Sequence, residues 1–404
     1  MRRLLVLLLF CTPALAGDYA LLINGGYNDL GGGWNNHGVF ATACAYMHNE
    51  LEALGWSVTV LDGNGATNTI GLYSAASLPD PALSEGWGDA VFAEASTYDG
   101  EPYEIWQRRF VSPDDYNRDG IGDVDGPGTA EAIYGAFADL AGRMTTQDRL
   151  LVEFVDHGGT DEQGWTFGTW GHITVSGSEL AAAMDLIPCA SRTILVSTCY
   201  AGAAWPHFDD GKTTMLTQTS DDYYGWSSLD LIYDGGDLDG LYYRDELQWS
   251  LVWPQAFHID RNGDGLVTWE EAHQTVLELD PFSPLNQPYQ QTLPGFETVY
   301  DTTGTVIEYP QAFGDLSGVV WLVGDCNGDG YVDGADFNIL LANLGTSGNW
   351  AAGDLNGDTI VDGADYNLVL ANLGQPQPAT IPEPATMLLL AAGACLLLKE
   401  RNRT

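Results

Sequence analysis

Two short apolar segments each lead into a residue that could take part in nucleophilic catalysis. Residues 150–155 lead to His157, and residues 193–197 lead to Cys199. A thiol can attack a carbonyl carbon, and an imidazole can move the protons that this attack requires. If the two segments are neighbouring parallel strands, their carboxyl ends open onto one crevice. The spacing therefore predicts a Cys199/His157 pair that forms a thioester with its substrate.

Small residues accompany both groups. Gly158 follows His157 directly, and small residues come soon after Cys199. The N–H groups of Gly158 and Cys199 are candidates for an oxyanion hole. Free cysteine is among the most buried residue types, so an inert buried pair is the alternative interpretation. Two apolar strands that both end in a reactive group favour catalysis, with His172 and His207 as rival bases.

The elements that would position these groups alternate between strands and helices. Continuous apolar runs predict buried parallel strands at residues 19–23, 57–61, 150–155 and 193–197. Apolar residues at helical spacing predict helices at residues 39–54, 129–144 and 178–184. This alternation predicts an α/β fold, with a mostly parallel sheet and helices on both faces. Residues 62–128 are rich in Gly, Asp and Ser and are predicted to form a loop insertion.

The two strand ends resemble the caspase-like cysteine peptidases of clan CD, and they are most similar to the legumain family. In that family one hydrophobic strand ends in Asp-His-Gly and a second ends in the catalytic cysteine. Residues 154–158 and 195–199 have this pattern. The resemblance implies that Cys199 is the nucleophile, that His157 is the general acid and base, and that Gly158 contributes to the oxyanion hole.

The resemblance covers residues 17 to about 208, extends more weakly to about residue 323, and implies a caspase-like fold over residues 17–323. It also implies that an Asn of the first loop, Asn35 or Asn36, orients the catalytic histidine. Legumains bind a substrate Asn or Asp through an Arg in this loop, and residues 34–37 include no Arg. A basic or neutral peptide substrate is therefore expected in preference to an acidic one.

Residues 260–271 have the ligand spacing of an EF-hand calcium loop. Oxygen-bearing side chains occupy loop positions 1, 3 and 5, Gly265 occupies position 6, and Glu271 occupies position 12. Predicted helices at residues 241–257 and 272–279 flank the loop and favour calcium over an ordinary Asp/Gly turn. The expected ligands are Asp260, Asn262, Asp264, Leu266, Thr268 and Glu271.

A related loop occurs twice, at residues 325–336 and 29 residues later at 354–365, and a helical segment follows each copy. The pair resembles a type I dockerin domain over residues 324–374. The resemblance implies a small all-α domain with two calcium ions. The implied ligands of the first ion are Asp325, Asn327, Asp329, Tyr331, Asp333 and Asp336. Those of the second ion are Asp354, Asn356, Asp358, Ile360, Asp362 and Asp365.

The dockerin resemblance also implies a cohesin-like protein partner. Both loops carry Gly-Ala before position 12, at residues 334–335 and 363–364, unlike the polar pairs of well-known cellulosomal dockerins. A module of this size buries little apolar surface by itself. Calcium is therefore expected to supply much of its folding free energy.

Charge and cysteine content exclude several classes of function. The chain has 56 Asp and Glu against 14 Lys and Arg, a formal net charge of -42. Nucleic-acid surfaces need clustered Lys and Arg, so no nucleic-acid partner is expected. Six cysteines in 404 residues are too few for a disulfide scaffold, and Cys199 is expected to be a free thiol.

Both ends of the chain have the pattern of targeting segments. Residues 1–16 combine a basic start, a short apolar stretch and Ala-Leu-Ala, which predicts an export signal peptide. Near the other end, Pro-Glu-Pro at 382–384 precedes an apolar stretch at 385–398 and a basic end. Residues 375–404 resemble the PEP-CTERM sorting signal of Gram-negative bacteria. That resemblance implies transient membrane contact and an exosortase-like processing enzyme, with a single-span anchor as the alternative.

Together these features predict an exported cysteine-type endopeptidase that acts on a protein or peptide, in the cell envelope, on the outer surface or outside the cell. Two alternatives remain open at this stage. One is a non-catalytic, calcium-dependent binding or display protein on a peptidase-like fold. The other is a dockerin-bearing component of a polysaccharide-degrading assembly.

Overall fold

A computed structural model gives the fold of most of the two predicted domains. The described residues are 17–26, 37–63, 65, 71–73, 91–98, 101–109, 116, 121–171, 173–225, 228–232, 242–246, 248–280, 282–286, 308–348, 350–356 and 360–375. The predicted signal peptide, Asn35, Asn36 and the predicted sorting segment from residue 376 onward lie outside this set.

The described strands, in chain order, are β1 (Asp18–Asn24), β2 (Ser57–Asp62), β3 (Gly71–Tyr73), β4 (Val91–Tyr98), β5 (Glu101–Arg109), β6 (Val124–Gly126), β7 (Arg149–Val155), β8 (Gly158–Asp161), β9 (Gly164–Thr169), β10 (Ile173–Ser176), β11 (Ser191–Ser197), β12 (Thr213–Thr217), β13 (Ser228–Ile232), β14 (Tyr242–Glu246), β15 (Leu266–Thr268), β16 (Gln311–Phe313) and β17 (Val319–Leu322). A seven-stranded sheet has the spatial order β16-β12-β11-β7-β1-β2-β6. All neighbours are parallel except β12 and β16. The predicted mostly parallel sheet is confirmed.

The described helices are α1 (His37–Ala53), α2 (Ala130–Arg143), α3 (Gly177–Met184), α4 (Trp205–Phe208), α5 (Gln248–Ala256), α6 (Trp269–Leu279), α7 (Gly334–Asn343) and α8 (Gly363–Asn372). Helices α1 and α5 pack with one sheet face, and α2 and α3 pack with the other. Both faces of the central strands are apolar: Leu22 lies on the α1 side, and Leu21 and Ile23 lie on the α2 side. Continuous apolar runs are expected for parallel strands that are buried on both faces.

Local signals fix the ends of the helices on the α2 side. Thr129 caps α2 by accepting a hydrogen bond from the N–H of Ala132 at 3.3 Å. Ser176 and Glu179 form a capping box at the start of α3. Each cap satisfies main-chain N–H groups that a helix leaves without a partner in its first turn. The α2 boundary therefore agrees with the predicted helix to within one residue at each end.

Two sequence predictions about secondary structure were wrong. The segment 62–128, predicted as loops, includes β6 of the central sheet and a separate antiparallel sheet of order β3-β5-β4. The segment 241–257, predicted as one helix, begins with β14, which pairs with β13, and only then continues as α5. Tyr242 and Tyr243 favour a strand. The helical spacing of apolar residues is a real feature only from Gln248 onward.

One acidic side chain lies in the middle of the central sheet. Glu153 on β7 is fully buried on the α1 side, and neither carboxylate oxygen has a hydrogen-bond partner among the described residues. Burial raises the pKa of Glu153 to about 8. The native protein therefore holds a neutral carboxylic acid here at pH values where an exposed Glu is ionised.

The free energy of unfolding should fall as pH rises between the pKa of Glu153 in the unfolded chain and its raised pKa in the native protein, because only the native protein binds this proton in that range. That range runs from the ordinary pKa of 4.5 to about 8. The slope contributed by one such group is at most ~1.4 kcal/mol per pH unit. Urea unfolding at fixed calcium should show that Glu153→Gln removes this slope. Glu131→Gln, an exposed site on α2, should keep it, and an unchanged slope in Glu153→Gln would contradict the assignment.

Candidate active site and calcium loops

The candidate active site lies at the carboxyl ends of β7 and β11. These strands pair in parallel, and Val155 stands opposite Ser197. His157 and Cys199 each come two residues later, so the same register carries both residues to one edge of the sheet. The order of strands reverses at β1, the other neighbour of β7, and such switch points form crevices in open α/β sheets.

Gly158, the residue after His157, packs directly against Thr198 and Cys199. A Cβ atom on Gly158 would lie 2.5 Å from the carbonyl oxygen of Cys199 and 2.5 Å from Oγ1 of Thr198. Only glycine fits that space without displacing the main chain. A main-chain hydrogen bond at Gly158 also acts on the thiol of Cys199. The segment beginning at His157 is therefore in direct contact with the predicted nucleophile.

Cys199 is a half-buried free thiol, and its Sγ atom lies 3.8 Å from the carbonyl oxygen of Gly225. Burial raises the pKa of Cys199 above its ordinary value. The negative charge of Glu308 acts in the same direction, and main-chain hydrogen bonds at Gly225 and Gly158 oppose it. A tight ion pair with an imidazolium would have the opposite effect. The resting thiol is therefore protonated at neutral pH.

His157 is exposed and packs edge-on against Phe40 of α1, with ring centroids 5.6 Å apart. Partial desolvation lowers the pKa of His157, which favours the neutral imidazole. The N–H of His157 donates to Oδ1 of the buried Asp156 at 2.6 Å. Asp156 also lies against Gly25, where a Cβ atom would approach its Oδ2 to 2.3 Å. Asp156 thus fixes the turn that carries His157.

The main chain is strained directly after Cys199. Tyr200 has φ 56° and ψ 29°, and among the described residues it is the one non-glycine residue with positive φ. Its N–H donates to the carbonyl oxygen of Tyr223 at 2.8 Å. A hydrogen bond with Tyr224 raises the pKa of Tyr200 to about 12. Strain of this kind persists only where surrounding contacts impose it, and it clusters at functional sites.

A buried polar network supports the strand that ends in Cys199. Oγ of Ser197 contacts Oγ of Ser250 on α5 at 2.6 Å and donates to Oε1 of Gln218 at 3.1 Å. Nε2 of Gln218 donates to Oε1 of Glu308 at 2.6 Å. Sequence reasoning missed Gln218 and Glu308, because 90 residues separate them and neither lies in a motif. Buried polar side chains of this kind need partners, and their positions depend on the tertiary fold.

The structure describes one of the two rival bases, His207, and neither of the Asn residues predicted to orient His157. His207 packs against Gly164 and Gly177, where a Cβ atom at either position would lie 2.5 Å from its ring. Gly164 pairs with Asp161 at the far end of β8 from Gly158, roughly 10 Å along the strand. His207 is therefore not beside Cys199. His172, Asn35 and Asn36 lie outside the described residues.

The loop at residues 260–271 has a network of Asp and Glu acceptors. Asp260 accepts hydrogen bonds from the N–H groups of Gly263 at 2.7 Å and Gly265 at 2.8 Å. Glu271 accepts from the N–H groups of Asn262 at 3.2 Å and Thr268 at 3.0 Å. The side chains at the first and last positions of the loop thus both bind main-chain N–H groups within it. Asp264, Leu266 and the remaining predicted positions lie between them.

The loop at residues 325–336 repeats this arrangement. Asp325 accepts from the N–H groups of Asp329 at 3.1 Å and Gly330 at 2.7 Å. Asp336 accepts from the N–H groups of Cys326 at 2.9 Å and Asp333 at 2.8 Å. The first and last carboxylates of the loop thus hold its main chain in a closed turn.

The second copy matches the first wherever it is described. Asp365 accepts from the N–H groups of Leu355 at 2.7 Å and Asp362 at 2.8 Å. Asp333 and Asp362 both form capping boxes, at the starts of α7 and α8. Asp358 lies outside the described residues. The sequence repeat is therefore also a structural repeat.

The donor set of the two repeated loops fits calcium. Asp325 and Asp354 are 4% exposed, and Asp336 and Asp365 are fully buried. Burial raises the pKa of Asp325 to about 6, and repulsion from Asp336 adds to the shift. Buried like charges are costly unless a cation compensates them. Among the described residues no three His, Cys, Asp or Glu side chains form a metal cluster. EF-hand-type loops add Asn and main-chain oxygens to their carboxylates, which suits a hard cation.

Comparison with known families identifies this C-terminal region. Residues 323–374 match the family described as Dockerin type I domain. These residues are a type I dockerin domain, and calcium is its cofactor. A comparison with curated proteins found no significant match. No helix in the described part of the chain combines the length and apolar character needed to cross a membrane.

The reactivity of Cys199 should reflect its raised pKa. The rate of iodoacetamide alkylation, followed by mass spectrometry of the Cys199 peptide, should keep increasing above pH 9, the ordinary thiol pKa. Glu308→Gln removes a nearby negative charge and should move the profile to lower pH. Glu162→Gln, an exposed site in the β8–β9 turn, should leave the profile unchanged. Identical profiles for wild type and Glu308→Gln would exclude the electrostatic contribution of Glu308.

Each dockerin loop should bind one calcium ion through its position-12 carboxylate. Native mass spectrometry of the full chain should show one ion fewer in Asp336→Ala and in Asp365→Ala, and two fewer in the double variant. Asp139→Ala, an exposed site on α2, is the control and should bind the wild-type number. Wild-type stoichiometry in the double variant would show that these carboxylates are not ligands.

Proposed function

We propose that the chain is an exported cysteine-type endopeptidase attached to a calcium-dependent assembly domain. The observation that carries the proposal is the position of Cys199 and His157 at the ends of two adjacent, in-register parallel strands, with Gly158 packed on Cys199. The free, half-buried state of the thiol also supports it. The strained main chain at Tyr200 adds to this, because Tyr200 directly follows Cys199.

The proposed reaction starts from a neutral thiol and a neutral imidazole. His157 accepts the proton of Cys199 Sγ as the sulfur attacks the carbonyl carbon of the scissile peptide bond. The N–H groups of Gly158 and Cys199 donate to the oxyanion. The imidazolium then returns its proton to the leaving amine, and a thioester remains. His157 next removes a proton from water, which attacks the thioester. The C–S bond breaks, the carboxylic product leaves, and the imidazolium returns its proton to Cys199 Sγ.

The charge of the chain indicates the class of substrate. Asp221 and Asp222 are exposed in the segment between β12 and Tyr223, which contacts Tyr200. Negative charge beside the crevice attracts basic peptides and repels acidic ones. We therefore propose a basic or neutral residue on the acyl side of the cleaved bond.

The dockerin domain gives the chain a calcium-dependent assembly module, and it implies a cohesin-type protein partner. Four leucines remain about half exposed at equivalent positions of the repeat: Leu341, Leu344, Leu370 and Leu373. Dockerin modules occur on extracellular or cell-surface proteins. Export through the signal peptide, a Gram-negative cell envelope and processing by an exosortase-like enzyme are parts of the same proposal.

A second candidate function is supported by the dockerin match itself. A non-catalytic binding or display protein, or a component of a polysaccharide-degrading assembly, would need the assembly domain and no reactive thiol. The raised pKa of Cys199 is compatible with an inert thiol. This alternative predicts that the crevice does not react with substrate-like electrophiles.

Acyloxymethyl ketone probes with a Lys, Asn or Asp side chain next to the reactive group separate the two functions. The peptidase proposal predicts covalent labelling of Cys199, fastest with the Lys probe and slowest with the Asp probe. Cys199→Ala should abolish labelling, and His157→Ala should slow it by about a hundredfold or more. Cys189→Ala and His207→Ala are matched controls that should keep it. Failure of the processed wild-type chain to react with any probe would favour the display function.

A further inference from the structure

The dockerin domain is packed against the α/β domain through an aromatic and polar cluster. Trp350, which is 3% exposed, lies in sequence between the two dockerin loops at residues 325–336 and 354–365. Its Nε1 donates to Oε1 of Glu50 on α1 at 2.6 Å. The same Glu50 oxygen contacts Nε2 of His258. The His258 ring stacks on Trp350 with centroids 5.2 Å apart and meets Trp321 edge-on at 4.6 Å. One carboxylate of α1 thus bridges the two domains.

Two glycines make a second contact, between the dockerin loop at residues 325–336 and the end of α1. A Cβ atom on Gly328 would lie 2.7 Å from the carbonyl carbon of Leu54. A Cβ atom on Gly55 would lie 2.7 Å from the carbonyl oxygen of Gly328. Both glycines have positive φ. The main chain of the loop therefore rests directly on the main chain after α1, and this fit depends on the shape of the loop.

The two domains also share one hydrophobic core. Val332, Leu340 and Val369 of the dockerin domain belong to the same buried cluster as Leu51 of α1 and Trp253 of α5. Strands β15 and β17 pair within this region, and β17 leads directly into the loop that begins at Asp325. In the described part of the chain the dockerin domain is therefore not an independent domain joined only by a linker. It is packed as a continuation of the α/β core.

Helix α1 connects this interface to the candidate active site. Glu50 lies near the carboxyl end of the helix, and Phe40, which packs on His157, lies near its amino end. Ten residues of helix separate them, roughly 15 Å. The four half-exposed leucines of the dockerin domain remain outside the interface. The surface toward the α/β domain and the surface left for an external partner are thus distinct.

We propose that the dockerin domain binds its own α/β domain as an intramolecular partner, and that calcium in the loop at residues 325–336 stabilises α1 through Glu50 and Gly55. Calcium sets the shape of the loop that carries Gly328, and it compensates the buried carboxylates of Asp325 and Asp336 in that loop. Removal of calcium loosens both contacts and increases opening of α1. The influence of calcium on His157 through Phe40 rests on the proposed peptidase function, whereas the domain contact does not.

Hydrogen exchange of the full chain, measured by mass spectrometry in calcium chloride and in EGTA, tests the coupling. Calcium should slow amide exchange in the α1 peptides by roughly tenfold, as well as in the loop peptides. In Glu50→Ala the calcium effect on α1 should largely disappear, and the effect on the two dockerin loops should persist. Glu52→Ala makes the same substitution at an exposed position of the same helix and should keep the wild-type effect on α1.

Exchange in α1 that is the same in calcium and in EGTA would overturn the proposal. So would a calcium effect on α1 that survives in Glu50→Ala. Loss of loop protection in Glu50→Ala would also count against it, because calcium binding itself would then have failed. The readout needs no peptidase activity, so an inactive chain can still show the coupling and an active chain can lack it.

Discussion

The parallel, in-register pairing of β7 with β11 is the constraint on which the candidate active site depends. A shift of one residue would turn the side chains that follow one strand toward the opposite face of the sheet. Val155 stands opposite Ser197, and both strands are buried along their paired length. The contact of Gly158 with Cys199 is its immediate consequence. The candidate chemistry therefore rests on strand packing as much as on the reactive groups themselves.

Both resting groups of the site are neutral, and this follows from their surroundings. Burial opposes a thiolate at Cys199, and partial desolvation opposes an imidazolium at His157. Glu308 adds negative charge close to the sulfur, and the side-chain amide of Gln218 donates a hydrogen bond to its carboxylate. A site of this kind gains reactivity only when a substrate brings a carbonyl to the sulfur and the proton moves in the same step.

The sequence alone was sufficient for the elements with strong local signals. The strands at residues 150–155 and 193–197 were predicted closely because parallel strands buried on both faces need continuous apolar runs. The dockerin domain was predicted because its repeated loops, each followed by a helix, resemble that family, and the family match confirms it. The strand β14 and the Gln218–Glu308 contact were missed, because cross-strand and long-range partners determine them. The domain interface was missed for the same reason, since Glu50 and Trp350 are 300 residues apart.

The excess of acidic residues is accommodated in two different ways. In the α/β domain, burial makes Glu153 and Asp280 weak acids, with pKa values raised to about 8 and about 7, so each can remain neutral inside the core. In the dockerin loops, Asp336 and Asp365 are fully buried and accept main-chain hydrogen bonds. Calcium compensates carboxylates that are buried close together in these loops. The α/β core is thus sensitive to protons and the dockerin domain to calcium, and the contacts of α1 with Trp350 and Gly328 connect the two.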